Sequence, residues 1–463
     1  MSEALEQVRE ARSRRFRPYP AYKDSGVEWL GEIPAHWDCL AVARVTVSRC
    51  DGPFGSALKS EHYSGEGVRV VRLQNIGWAE FLDFDQAFID EVYAGKLGDH
   101  GVVDGDLLVA GLGDEGHPVG RACAAPEGIG PALVKADCFR FRLDRTRVFP
   151  RFAAYQLSAT ALAAAGSLAT GATRSRMNLT ATVARKVALP VLEEQCSVAA
   201  FLDRETVRID GLVARKERLI ELLREKRSAL ITRAVTRGLD PSVPLKDSGV
   251  EWLGEIPAHW EVRRMKLLLE EPLQYGANEP AEMMDENLPR YIRITDISED
   301  GRLREETFRS IPEDVAEPYL LEEGDLLFAR SGATVGKTFR YEGSWGRAAY
   351  AGYLIRARLD PRKGDGGFLQ YFTTSSSYWD WLRSNFIQAT IQNVSAERYA
   401  NLAIPVPGLT EQHAIVSCLD RETAKIDALV AKVREAIGRL KEFRTALISA
   451  AVTGKIDVRE AAG

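Results

Sequence analysis

A fifteen-residue string, KDSGVEWLGEIPAHW, occurs twice in this chain without a change, from Lys23 to Trp37 and again from Lys246 to Trp260. Identity over that length, with two tryptophans in each copy, marks an internal duplication. A second shared stretch lies later in each copy: LDRETVRIDGLVA (Leu202 to Ala214) answers LDRETAKIDALVA (Leu419 to Ala431). The register continues through ALI at Ala229 and Ala446 and AVT at Ala234 and Ala451. Between these anchors the copies diverge but keep a frame. GDLLVA at Gly105 matches GDLLFA at Gly324, and VVRLQNI from Val70 matches YIRITDI from Tyr291. The organisation is therefore two copies of one unit with fixed ends and a variable middle. A duplicated enzyme usually keeps its reacting groups in the middle of each copy, whereas here the middles differ in nearly every polar position. Such a chain looks like a common frame presenting two different reading surfaces; a duplicated fold with one degenerate half is the blander alternative.

The shared ends read as long helices. From Glu193 to about Arg237 there is no proline, and Gly211 is the only glycine. Apolar residues recur at alternating steps of four and three: Leu202, Ile209, Val213, Ile220, Leu223, Leu230, Ala234, with Thr206, Lys216 and Arg227 in the remaining seam positions. The second copy runs Leu419, Thr423, Ile426, Val430, Val433, Ile437, Leu440, Arg444, Leu447, Ala451. A heptad seam sustained this far predicts a helix of roughly 65 Å packed against another helix. Pro190 and Pro407 precede the two helices, and Gly238 and Gly454 end them. The obvious partners are each other; a seam for another protein is the alternative. Packed antiparallel, they would turn a direct repeat in sequence into a pair related by an approximate two-fold axis, a geometry that suits a two-fold duplex.

The variable segments, 38–190 and 261–405, mix short β-rich runs with helices. VRVVRLQNI, GDLLVAGLG, DCFRFRLD, RYIRITDI, GDLLFARSG and YLIRARLD read as strands; RFAAYQLSATALAAAGSL and FLQYFTTSSSYWDWLRSNF read as helices. After these helices come two polar loops, TGATRSRMNLT and QATIQNVS. They offer Thr173, Arg174, Ser175, Arg176 and Asn178 in the first copy, and Gln388, Thr390, Gln392 and Asn393 in the second. Arginine suits guanine O6 and N7, and Asn or Gln suits adenine N6 and N7. The loops coincide when the copies are aligned yet differ in chemistry, as two readers of different sequences should. A solvated polar loop is the competing reading. Arg72, Gln74 and Asn75, with Arg293 and Thr295 opposite, are weaker candidates of the same kind, and Arg121, Arg330 and Lys337 could hold phosphates.

Much chemistry is missing. SGATVGKT, Ser331 to Thr338, approaches a phosphate-binding loop, but Ser331 stands where its first glycine is required. None of the 15 lysines has an acidic residue two positions earlier, so the D/E-x-K pattern of metal-dependent nucleases is absent, and no adenine methyltransferase motif is visible. The histidines do not cluster; His36 and His259 fall in the repeated string and read as frame. Glu193 and Glu194 read as helix-start charges. Six cysteines without a CxxC pair argue against a zinc site or disulfide scaffold and suggest a reducing cytosol. The charged N-terminus lacks the apolar stretch of a signal peptide, and no apolar run is long enough to span a membrane. A net charge of −5 limits nucleic-acid binding to local patches or to help from a partner.

Taken together, the repeated KDSGVEWLGEIPAHW, the approach to each helix at Leu189–Gln195 and Val406–Gln412, and FLDRET…ID.LV…ALI…AVT resemble the specificity subunits of type I restriction–modification enzymes over essentially the whole chain. The resemblance implies an α+β chain with a pseudo-two-fold internal repeat. A target recognition domain (1–190) is followed by a spacer helix (191–240), a second recognition domain (241–408) and a second helix (409–457), the helices forming an antiparallel coiled coil. It implies no catalysis in this chain, and recognition of one half of a bipartite, asymmetric DNA site by each domain, with the family's DNA-facing loop carried onto residues 173–178 and 388–393 only. The expected partners are double-stranded DNA, two modification (methyltransferase) subunits and a restriction subunit, in the cytoplasm. S-adenosylmethionine, ATP and magnesium are expected to belong to those partners. A non-enzymatic scaffold whose variable domains bind proteins is the alternative.

Overall fold

The computed structural model describes residues 16–53, 55–114, 116–168, 175–298, 303–386 and 393–459. Both seam patterns form single helices, Leu192–Arg237 (46 residues) and Leu409–Val452 (44 residues). Seam positions Leu202, Ile209, Val213, Ile220, Leu223 and Ala234 are buried, as are Leu419, Ile426, Val430, Val433, Ile437, Leu447 and Ala451. Both helices end as the glycines require: Gly238 and Gly454 have φ of +74° and +71°, the left-handed region that lets a helix stop and its last carbonyls find donors. Each start is stapled by a glutamine. Gln195 Nε2 donates to Arg147 O and Pro190 O while its Oε1 accepts from Phe149 N. In the second copy Gln412 Nε2 donates to Pro407 O and its Oε1 accepts from Asp365 N.

The chain divides into two compact units, residues 1–215 with 435–463, and 216–434. The sequence blocks set each long helix apart, but the units cut both helices and give each variable domain the beginning of one and the end of the other. In the first unit, Val198, Phe201, Leu202 and Ile209 share one core with Leu447, Ile448, Ala451 and Val452, and Arg444 Nε lies 3.0 Å from Asp210 Oδ1. In the second, Ile231, Ala234 and Val235 share a core with Ile415 and Leu419, and Arg227 Nε lies 3.1 Å from Asp427 Oδ1. Moving forward on one helix means moving back on the other, so within each unit the two segments run antiparallel.

The variable domains repeat one topology. In the first, a four-stranded antiparallel sheet is ordered Thr46–Cys50, Cys138–Leu143, Leu107–Ala110, Ala122–Ala124. In the second, the order is Gln274–Tyr275, Leu354–Ala357, Leu326–Ala329, Thr338–Arg340. The GDLL strands are buried at every position, which explains their unbroken apolar runs. A parallel pairing completes each domain, Val68–Val71 with Ala132–Val134 and Arg290–Ile292 with Ala348–Tyr350. A helix packs on each sheet, Pro150–Ala159 or Gly366–Thr374, and a second helix follows it, Ala161–Leu168 or Ser376–Phe386.

The repeated string sits at the junction of helix and domain, its last tryptophan (Trp37, Trp260) fully buried. A Cβ on Gly238 would touch Trp260 and Pro257; one on Gly454 would meet Trp37 and Pro34. The first contact is made along the continuous chain. The equivalent contact in the first unit joins residues more than four hundred positions apart in sequence, with Asp457 N donating to Arg17 O at 2.8 Å beside it.

Candidate nucleic-acid interface

Polar residues identical in the two copies mount the domains on the helices. Glu194 sits in the first turn of its helix, as expected, and is also buried: it accepts from Tyr19 OH (2.8 Å), Trp37 Nε1 (3.0 Å) and His36 Nε2 (2.9 Å). Burial and the Glu194 hydrogen bond push the Tyr19 hydroxyl well above its usual range. In the second copy Glu411 takes His259 Nε2 at 2.9 Å. The aspartate of LDRET is the other mount. Tyr155 OH donates to Asp203 Oδ1 at 2.6 Å and Tyr371 OH to Asp420 Oδ1 at 2.7 Å; burial, then the aspartate bond, raises each phenol to about 12. These histidines, acids and tyrosines hold a frame.

Of the polar loops, Thr173, Arg174, Gln388, Thr390 and Gln392 lie outside the described residues. The loop residues just after them are pinned in the same way in both domains. Arg176 bridges Leu112, with Met177 N donating to Gly111 O and Gly113 N to Ser175 O. Asn393 bridges Ser331, with Val394 N donating to Arg330 O. Ser175, Arg176, Asn178 and Asn393 are exposed. Asn178 caps the helix Leu179–Ala184 by accepting from Ala181 N at 2.7 Å, as Ser395 caps Ala396–Ala400. Its side-chain oxygen is thereby committed locally. Arg176 keeps its exposure but pairs through Nη2 with Asp137 Oδ1 at 2.9 Å.

Several other candidates are engaged in structure. Arg293 makes a two-pronged contact with the buried Asp296 (3.0 and 2.7 Å) and also donates to Thr307 O. Arg72 and Gln74 both reach Asp85, and the buried Asn75 amide donates to Leu82 O and Asp85 O. Arg121, read as a phosphate contact, is buried and spends its guanidinium on the carbonyls of Leu73, Ile76, Leu112, His117 and Pro118. It is a clamp on two loops and is not placed to meet a phosphate. Thr295 is exposed, its hydroxyl 3.4 Å from Asp296.

Arg330 and Lys337 remain. The string Ser331–Thr338 is the turn of an antiparallel hairpin between Leu326–Ala329 and Thr338–Arg340; no helix follows Lys337, so the aligned amides of a phosphate-binding loop are not formed. Lys337 is exposed. Arg330 stacks on Tyr275, its Cζ 4.7 Å from the ring centroid, with Nε buried and unpartnered among the described residues and Nη1 only 3.4 Å from Gly352 O. The Tyr275 hydroxyl is fixed by Ala396 N at 2.9 Å, and Tyr353, 64% exposed, adjoins through the bond from Arg330 N to Tyr353 O. Neither tyrosine stood out in the sequence. Reading the strands of one copy against the other, position by position, is the signal that would have found them. Among the described residues no cluster of three His, Cys, Asp or Glu is placed to hold a metal ion, and no helix is long and apolar enough to cross a membrane.

Comparison with known proteins gives a consistent picture. Residues 284–439 match the family model of the type I restriction modification DNA specificity domain. The chain is similar to the type I restriction enzyme MjaVIII specificity subunit of Methanocaldococcus jannaschii, 25% identical over 59% of this chain and 63% of that protein, under two thirds of its length. It is similar to the EcoBI specificity subunit of Escherichia coli at 22% identity, over 92% of this chain and 88% of that one. In fold it matches a chain from a structure concerned with complex assembly and conformational transition of the type I R-M system, with a TM-score of 0.68 and 15% identity, over 91% of this chain and 98% of the other.

Proposed function

We propose that this chain is a specificity subunit of the type I restriction–modification family, that it reads a bipartite, asymmetric DNA sequence, one half-site per variable domain, and that it carries no catalytic chemistry itself. The observation that carries this reading is the contrast between frame and loops. Identical glutamates, histidines and aspartates mount both domains, while the pinned loops differ residue for residue: Arg176 beside Leu112 in one, Asn393 beside Ser331 in the other. One frame with two loop chemistries is what two unlike half-sites require. The antiparallel pairing within each unit supports a role for the long helices in fixing the distance between half-sites and in docking two methyltransferase subunits. A restriction subunit would join that core. S-adenosylmethionine, ATP and magnesium would be used by those partners in the cytoplasm.

The test is methylation mapping of DNA from cells making this chain with its modification subunit, against cells lacking this chain. A new bipartite methylated motif is expected. If the subunits co-purify and no motif appears, the variable domains bind something other than DNA and the reading fails.

A further inference from the structure

Three contacts align the variable domains residue for residue. On the edge strands, Cys50 faces Arg140 and Gln274 faces Arg356, so Asp51 and Tyr275 follow at one position. Gly111 N donates to Asp137 O at 2.7 Å and Arg330 N to Tyr353 O at 3.1 Å, so Gly111 answers Arg330 and Asp137 answers Tyr353. The bridges of Leu112 with Arg176 and of Ser331 with Asn393 complete the match. Four equivalent positions therefore come together at the pinned loop of each domain. The first domain places Asp51, Gly111, Asp137 and Arg176 there, and the second places Tyr275, Arg330, Tyr353 and Asn393.

The contents are chemically inverted. The first domain has two acids with an arginine supplied by the loop: Arg176 pairs with Asp137, whose own N–H donates to Asp51 Oδ1 at 3.0 Å. The second has two tyrosines with an arginine supplied by the strand end, stacked on a ring. The backbone is shared and the side chains are exchanged, as expected of positions that set which sequence each domain prefers.

Resting on the DNA-reading function proposed above, we infer that these four positions are the base-reading centre of each domain and that Arg330, stacked on Tyr275, reads a guanine of the second half-site. A phosphate can be held by a positive charge that moves with the backbone, as a lysine does. Arg330 is built otherwise. Tyr275 covers one face of the guanidinium, and Ala396 N fixes the ring in turn. Among the described residues Nη2 has no partner and Nη1 only a long one. A guanidinium held in one plane with its outer edge unspent presents two parallel N–H donors, which match O6 and N7 of guanine. In the first domain the Arg176–Asp137 pair offers both a donor and an acceptor, so the two half-sites are read by different patterns at one structural position.

Methylation mapping with the modification subunit present tests this. Arg330→Ala is expected to make one guanine position of the second half-site degenerate, with roughly tenfold or greater loss of discrimination, and to leave the first half-site as it was. The untouched first half-site reports that the chain has folded. Arg330→Lys keeps the charge and is expected to relax the same position, because an ammonium cannot make the paired contact. The inference is overturned if Arg330→Lys restores full discrimination, if Arg330→Ala lowers methylation equally at every sequence, or if the motif is unchanged in both variants. A wild-type chain that directs no bipartite motif removes the DNA-reading function itself, which separates the two failures.

Discussion

Arg185 carries its charge into the core of the first unit with no carboxylate beside it among the described residues. Its Nη1 donates to Gly120 O at 2.6 Å, and Nη2 to Leu157 O and Thr160 Oγ1 at 2.7 and 3.0 Å; burial lowers its pKa to about 10, which leaves it charged at neutral pH. The second unit satisfies the matching carbonyl, Gly336 O, with the Tyr378 hydroxyl at 2.8 Å, and places Leu402 where Arg185 stands. Replacing the guanidinium takes the donor from two buried carbonyls and one of two partners from the Thr160 hydroxyl, so Arg185→Leu should lose about 2 to 4 kcal/mol in chemical denaturation; a change within the scatter of surface substitutions would refute the clamp. Asp51 gives a pH-dependent test at the same scale. Desolvation raises its pKa to about 6 from the ordinary 3.8, so between those values the folded chain holds a proton that the unfolded chain releases. Stability is therefore highest below the lower value and falls as pH rises through about 6. Asp51→Asn should remove that slope and gain about 1 kcal/mol at neutral pH, after discounting for solvent around a half-buried group. Denaturation midpoints compared at acidic and neutral pH decide it, and an equal change at both would count against the burial account.

At the scale of elements, the two helix ends look alike in sequence but differ in their surroundings. Both Gly238 and Gly454 have positive φ, so alanine at either costs about 1 kcal/mol of backbone strain. A Cβ on Gly238 would come no nearer than 3.4 Å to its neighbours, whereas on Gly454 it would lie 2.2 Å from Pro34 Cδ. Gly454→Ala should therefore lower the thermal midpoint at least twice as far as Gly238→Ala; equal shifts would mean that Pro34 gives way freely. The helices also carry a prediction about length. Four residues added to the first helix beyond Lys216, with a matching turn in the second, add about 6 Å, one to two base pairs of DNA. Methylation mapping should then show a longer spacer between unchanged half-sites, and altered half-sites would rule out a spacing role.

For the whole molecule, net charge decides how tightly DNA can be held. At −5 the chain as a whole repels a duplex, and Arg121 and Arg293 are committed to internal contacts, so counterion release rests on local patches of its other cations. Alone at physiological salt it should bind DNA only in the non-specific range, a Kd of roughly 10⁻⁴ to 10⁻⁶ M, and gain a hundredfold or more when the modification subunit is added. Fluorescence anisotropy of both samples checks this, and tight binding by the isolated chain would contradict it.

The large features were legible in one dimension because each rests on local periodicity or on identity between copies. The heptad seam showed the long helices, the repeated string showed the frame, and the buried GDLL strands followed from unbroken apolar runs. Site roles were less legible. Arg121, Arg293 and Asn178 have the residue types of nucleic-acid contacts, yet Arg121 donates to the Leu73 and Ile76 carbonyls, Arg293 to Asp296, and the Asn178 oxygen is taken by a helix start. Tyr275, Arg330 and Tyr353 are separated along the chain and meet only because neighbouring strands pair in one register. Residue type and spacing thus determined the duplication, its helices and the variable loops. The tertiary structure alone decided which polar groups are left with unspent hydrogen bonds, because that depends on burial and on partners that the spacing of residues does not encode.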